Sequence, residues 1–200
     1  MRLRAGLARL ALSTTVTALA LTTTAAAVPG PAAAPGPGGY AVHGVDISGY
    51  QHPDDKPIDW AALSRGGQKF VSVKATEGSR TVSPWFVRDL AGARGVKLIH
   101  TAYHYFEHDQ DGKVQADHFL KTVRAQKLDG THPYELPLEL DVERQRRGKP
   151  ACGAGPGALT SRVLAFLQRV EERTGVAPMV YTQRSFVDQC MGGTKALAGY

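Results

Sequence analysis

PLELDVERQ, residues 137–145, sets three acids at every second position: Glu139, Asp141 and Glu143. Leu138, Leu140 and Val142 fill the positions between them. In a strand, residues two apart share a face, so the spacing predicts one acidic and one apolar face. A parallel strand covered on both sides reads apolar throughout. The acidic face must therefore look into water, as on an edge strand, or into a site. The strand ends in the Asp141–Glu143 pair, just before the polar loop RQRRGKP. In barrel-like α/β folds, sites sit at the C-terminal ends of strands. Two adjacent carboxyls can act as acid and partner in glycoside hydrolysis, or hold a divalent cation.

Strands and helices alternate along the rest of the chain. HGVDIS (43–48), KFVSVKA (69–75), KLIHTAYHYF (97–106), YELPLELDVE (134–143) and APMVYTQ (177–183) read as strands. Helices are predicted over 58–67, 83–96, 111–126 and 157–175. The second opens on Ser83-Pro84, a cap followed by Pro in the first turn. The third sets Val114, Phe119 and Val123 on roughly one face. The last repeats Leu159, Val163, Leu164, Leu167 and Val170 at three and four, and Gly175 follows it. Such alternation predicts βαβ units and a parallel sheet.

Composition narrows the class. At 200 residues with 42% hydrophobic and 21% charged side chains, the chain suits one globular domain. Its formal charge is +6, but Arg2, Arg4 and Arg9 stand in the first 27 residues without an acid, leaving +3 for the remainder. That residual, with no basic stripe of interleaved aromatics, does not suit a nucleic-acid binder. The first 27 residues read as an export signal: a basic start, a small-residue apolar run, and an Ala-x-Ala end at Ala27. Six Thr and one Ser dilute the run, which makes it a poor membrane span. Residues 28–42 form a Pro/Gly/Ala-rich linker, and the compact domain is expected over 43–200. Cys152 and Cys190, in an exported chain, are most simply one disulfide; two free thiols are the alternative. His100, His104 and His108 stand four apart, which would suit a metal face on a helix. On a strand and loop that argument weakens, so no metal or other cofactor is expected, and His104 is placed at a barrel mouth.

With these segments in order, the chain resembles glycoside hydrolase family 25, the secreted muramidases (lysozymes). GVDISGYQ (44–51), IDW (58–60), FVSVKATEG (70–78), AYHYF (102–106), LELDVE (138–143) and MVYT (179–182) carry the resemblance. It implies an irregular TIM-like β/α barrel and cleavage of the β-1,4 bond between N-acetylmuramic acid and N-acetylglucosamine. Glu143 matches the general acid and Asp141 the residue that stabilises the reacting N-acetyl group, its charge keeping Glu143 protonated. Asp46 joins the cluster. Lys74, Glu77, Tyr103 and Tyr181 match substrate contacts, with ordinary barrel packing the competing reading for the tyrosines. Glu139 matches no catalytic position. The partner implied is cell-wall peptidoglycan, met outside the cell by a monomer without a membrane anchor. Five strands are fewer than an eight-stranded barrel needs, so the barrel is expected to stop short of its last strands and to expose apolar edges. Two other readings stay open: a catalytically impaired wall-binding module, and a chitinase-like hydrolase, since LELDVE is near an Asp-x-Asp-x-Glu signature.

Overall fold

A computed structural model describes residues 39–145 and 148–200. The export signal and all but the end of the linker lie outside the described residues. The domain is built on a curled sheet whose parallel strands run in the order β1 (Gly44–Ile47), β2 (Phe70–Glu77), β4 (Ile99–Tyr105), β5 (Glu139–Asp141) and β6 (Met179–Tyr181). A two-residue strand, β3 (Thr81–Val82), pairs antiparallel with β2. Between the parallel strands run α1 (Trp60–Arg65), α2 (Phe86–Gly95), α3 (Gly112–Arg124) and α4 (Pro156–Thr174); α5 (Arg184–Cys190) follows β6. Each parallel connection thus crosses over through a helix, as parallel pairing demands.

The helices cover one face of the sheet. Phe86 and Leu90 of α2, Phe119 and Val123 of α3, and Phe166 and Val170 of α4 are buried with Val71, Val73, Ala102 and Leu140 of the strands. Gly112 permits the close approach of α3 to α4: a Cβ there would lie 1.9 Å from the Arg162 carbonyl oxygen. α4 ends as its sequence predicts, with Gly175 in the left-handed region at φ 76°.

Several local expectations are corrected. β5 spans Glu139–Asp141 and not 134–143. Residues 134–136 meet the sheet only through a bridge from Glu135 to His100, and Pro137, which has no N–H, interrupts the ladder. Glu143 therefore lies just past the strand. Helix α2 starts at Phe86, capped by no side chain; Ser83 contributes its backbone carbonyl to the Phe86 N–H instead. Val114 is 53% exposed, and the buried stripe of α3 runs through Gln115, Ala116, Phe119, Leu120 and Val123. His104 is turned away from the mouth. It is fully buried under the helices, with Nδ1 2.7 Å from Thr76 Oγ1, Nε2 3.1 Å from Gln115 Oε1, and its ring stacked on Phe166. Burial lowers its pKa to about 3, so it is neutral.

Candidate active site

The uncovered face of the sheet carries the polar residues. Glu139 and Asp141 point one way from β5, while Leu138, Leu140 and Val142 are buried on the other side. Register then lines up neighbours across strands. Asp46 pairs with Ser72, Lys74 with Tyr103, and Tyr103 with Glu139. Tyr105, Asp141 and Tyr181 form the next row. In β2 the register shifts between Lys74 and Thr76, leaving Ala75 without a partner in β4. That extra residue rephases the strand. Thr76 goes outward to His104, and Glu77 returns inward, its Oε2 accepting from Lys74 Nζ at 2.7 Å.

The result is a cavity of about 590 Å³ lined by Asp46, Lys74, Tyr103, Asp141, Glu143 and Tyr181 among others. Glu77 lies outside it, on a smaller neighbouring hollow shared with Lys74 and Gly49. Residues unassigned from sequence also line the cavity: Ser72, Tyr105 and Glu139 on the strands, Tyr50 and Gln51 in the short 3-10 helix Gly49–Gln51, and Ser48 and Arg144 on loops. Ser72, Tyr105 and Glu139 were readable from period two. The others carried no such signal. Glu139 is held by Ser72, whose hydroxyl donates to Oε2 at 2.7 Å. The Tyr105 hydroxyl donates to the Arg144 carbonyl at 3.2 Å.

Three carboxyls along about 13 Å of backbone rise cannot all ionise freely, and burial compounds this. Asp141 is pushed up to about 8 by burial first, then by Glu143 and Glu139, with Lys74 opposing. Its Oδ1 is buried without a hydrogen-bond partner among the described residues. Glu139 is raised by burial, against the pull of the Ser72 hydrogen bond. Glu143 is raised by burial and then by Asp46. Both carboxyls are thus raised, Asp141 being the more buried, and they titrate as a pair that favours holding a proton between them. Burial likewise raises Tyr103, helped by Asp141 and Asp46.

A disulfide joins Cys152, nine residues after Glu143, to Cys190 at the end of α5. Among the described residues no cluster of three or more His, Cys, Asp or Glu could hold a metal. The three sequence-spaced histidines are dispersed: His100 Nδ1 contacts the Leu98 carbonyl, and His108 Nδ1 the Cys152 carbonyl.

Known proteins share this fold. The family model for glycosyl hydrolases family 25 matches residues 45–200. An N,O-diacetylmuramidase of Arthroderma benhamiae is 37% identical over 156 residues, which are 78% of this chain and 63% of that protein. The chain thus spans under two thirds of that relative's length. The structure of a muramidase from Acremonium alcalophilum superposes with a TM-score of 0.71 at 29% identity, covering 79% of this chain and 73% of the other. A bacterial lysozyme from Streptomyces coelicolor gives a TM-score of 0.68 at 27% identity, over 76% and 68% of the two chains. On the family match over most of its length and the likeness to these muramidases, the chain belongs to glycosyl hydrolases family 25.

Proposed function

We propose that the protein is a muramidase that cleaves the β-1,4 bond between N-acetylmuramic acid and N-acetylglucosamine, with Glu143 as general acid. The observation that carries this reading is the run of crowded, proton-retaining carboxyls on one face of β5, ending at Glu143. Glu143 is the more open of the pair and sits at the strand's end, where a leaving glycosidic oxygen can reach it. Asp141 lies deeper, beneath the position of the sugar ring and its N-acetyl group. With substrate bound, the anionic form of Asp141 is favoured beneath the charge that develops at the anomeric carbon, so Glu143 holds the pair's proton and gives it to the leaving glycosidic oxygen as the bond breaks. Asp46 adds a further carboxyl on the β1 side of the cavity. Lys74, Tyr103 and Tyr181 contact substrate, and Glu77 orients Lys74 through their ion pair.

The test is digestion of purified peptidoglycan and of soluble chitin oligomers. The account expects fragments from peptidoglycan that end in reducing N-acetylmuramic acid, and little from chitin. The chitinase-like reading requires the reverse. Wall binding without new reducing ends would favour an impaired binding module. Export is part of the same proposal, with peptidoglycan met outside the cell by a monomer. N-terminal sequencing of protein from the medium should begin near Val28; a start at Met1 would contradict it.

A further inference from the structure

The turn between β1 and α1 is held from beneath by one histidine. His52 is 5% exposed. Its ring lies flat on Trp85, with centroids 3.7 Å apart and planes 1° from parallel. Nδ1 is 2.9 Å from the Lys56 carbonyl oxygen, and Nε2 is 2.9 Å from Asp89 Oδ2. Lys56 closes the turn, Trp85 precedes α2 and Asp89 belongs to it, so one ring ties residues 48–56 to that helix. The other side of the turn faces the cavity with Ser48, Tyr50 and Gln51. Tyr50 is 81% exposed. Ser48 and Gln51 cap one another, the Ser48 N–H donating to Gln51 Oε1 at 2.8 Å. The turn is thus stiff within itself; it is attached to α2 through His52 and to Tyr103 of the cavity floor through Ser48.

We propose that His52, Trp85 and Asp89 form a positioning clamp that sets Tyr50 and Gln51 against the bound glycan, and that the clamp needs one proton held between His52 and Asp89. The first half rests on the proposed function, since it takes the cavity's ligand to be a glycan. Exposed aromatic faces suit the apolar faces of sugar rings, and Gln51 offers both a donor and an acceptor to hydroxyls. The second half follows from hydrogen-bond chemistry. A carbonyl oxygen only accepts, so Nδ1 must donate to Lys56. Nε2 then faces a carboxyl oxygen, and a proton must lie between them, on the imidazolium or on the acid. Without it, a lone pair opposes a carboxylate. Exchanging tautomers moves the clash to Lys56. Burial raises the Asp89 carboxyl, with His52 and Arg88 acting against it. Arg88 also lies over Trp85, 4.8 Å from the ring centroid. On the turn's own side the charged groups are Asp54, Asp55 and Lys56, of which Asp54 and Lys56 pair at 3.4 Å. None of these accepts the proton in place of Asp89.

Two variants separate clamp from scaffold. His52→Phe keeps a ring on Trp85 and loses both polar contacts. Asp89→Asn keeps them without the extra proton, because the amide N–H donates to Nε2. On soluble peptidoglycan fragments, His52→Phe should raise KM about tenfold, the scale of one misplaced aromatic contact, with kcat little changed. Wild-type KM should rise toward alkaline pH as the proton is lost; Asp89→Asn should match wild type at neutral pH and rise less, since only the cavity's own carboxyls then titrate. Amide hydrogen-exchange protection, taken relative to the intrinsic base-catalysed rate, should fall over residues 48–56 in His52→Phe, and in wild type but not in Asp89→Asn at alkaline pH. A wild-type KM in folded His52→Phe, or the same alkaline rise in Asp89→Asn, overturns the proposal. If His52→Phe does not fold, the Asp89→Asn comparison still decides. If wild type turns over no peptidoglycan, the proposed function fails. Exchange over 48–56 across pH then judges the clamp alone.

Discussion

The two faces of the sheet answer the same strands differently. On the helix-covered face, the histidine at its centre is matched. His104 is flanked by Thr76 and Gln115 and packed on Phe166, and is held neutral. On the cavity face, carboxyls crowd without enough donors. Asp141 Oδ1 has no partner among the described residues, and Asp141, Glu139 and Glu143 are all raised. One face is arranged for stability. The other holds groups whose strained protonation is useful only with substrate present.

The largest stability effect should therefore come from the covered face. Phe166 is fully buried between His104, Phe106 and Phe119, so Phe166→Ala should cost about 3–5 kcal/mol. Chemical denaturation measures this, and activity per folded molecule should persist. A large activity loss in the folded fraction would break the division between faces. Next comes the Cys152–Cys190 bridge, which closes a separation of 38 residues. Replacing both cysteines by alanine should cost about 3–4 kcal/mol in the chain-entropy account; a change below about 1 kcal/mol on that scale would contradict it.

The cavity face should respond with the opposite sign. The folded-state value of Asp141 lies at about 8, against an ordinary 3.8. Over that window the unfolded chain ionises Asp141 and the folded chain does not. Its contribution to stability is full at acid pH and lost as pH rises toward 8, at up to about 1.4 kcal/mol per pH unit. Asp141→Asn should remove this loss, raising the melting temperature relative to wild type more at pH 8 than at pH 4 while lowering activity. An equal change at both pH values would show that Asp141 ionises normally. The smallest effect is expected at Glu139, matched by Ser72 and assigned no chemical role: Glu139→Gln should leave the rate close to wild type.

Much of this contrast was legible in the alternation of LELDVE, because a two-residue period converts directly into two faces. The same logic could have included Ser72 beside Lys74 and Tyr105 beside Tyr103. It could not foresee the extra residue at Ala75, which redirects Glu77, since a bulge breaks the period that the reading depends on. Nor could it foresee which neighbour raises Glu143: burial and Asp46 act through space, from another strand. The helical pattern misplaced Val114 by one position on its face, and Pro137 shortened a strand that periodicity had extended. His52 had no legible role because Asp89 stands 37 residues away.

The most direct measurement is the release of reducing ends from purified peptidoglycan by wild type and Glu143→Gln, at several pH values. An amide cannot give the leaving oxygen its proton, and general acid catalysis is typically worth about 10²–10⁴ in rate. The account predicts a loss of that size at every pH, with binding to the wall retained. A variant that keeps more than about a tenth of the rate, well above what loss of a general acid allows, would contradict the assignment of Glu143.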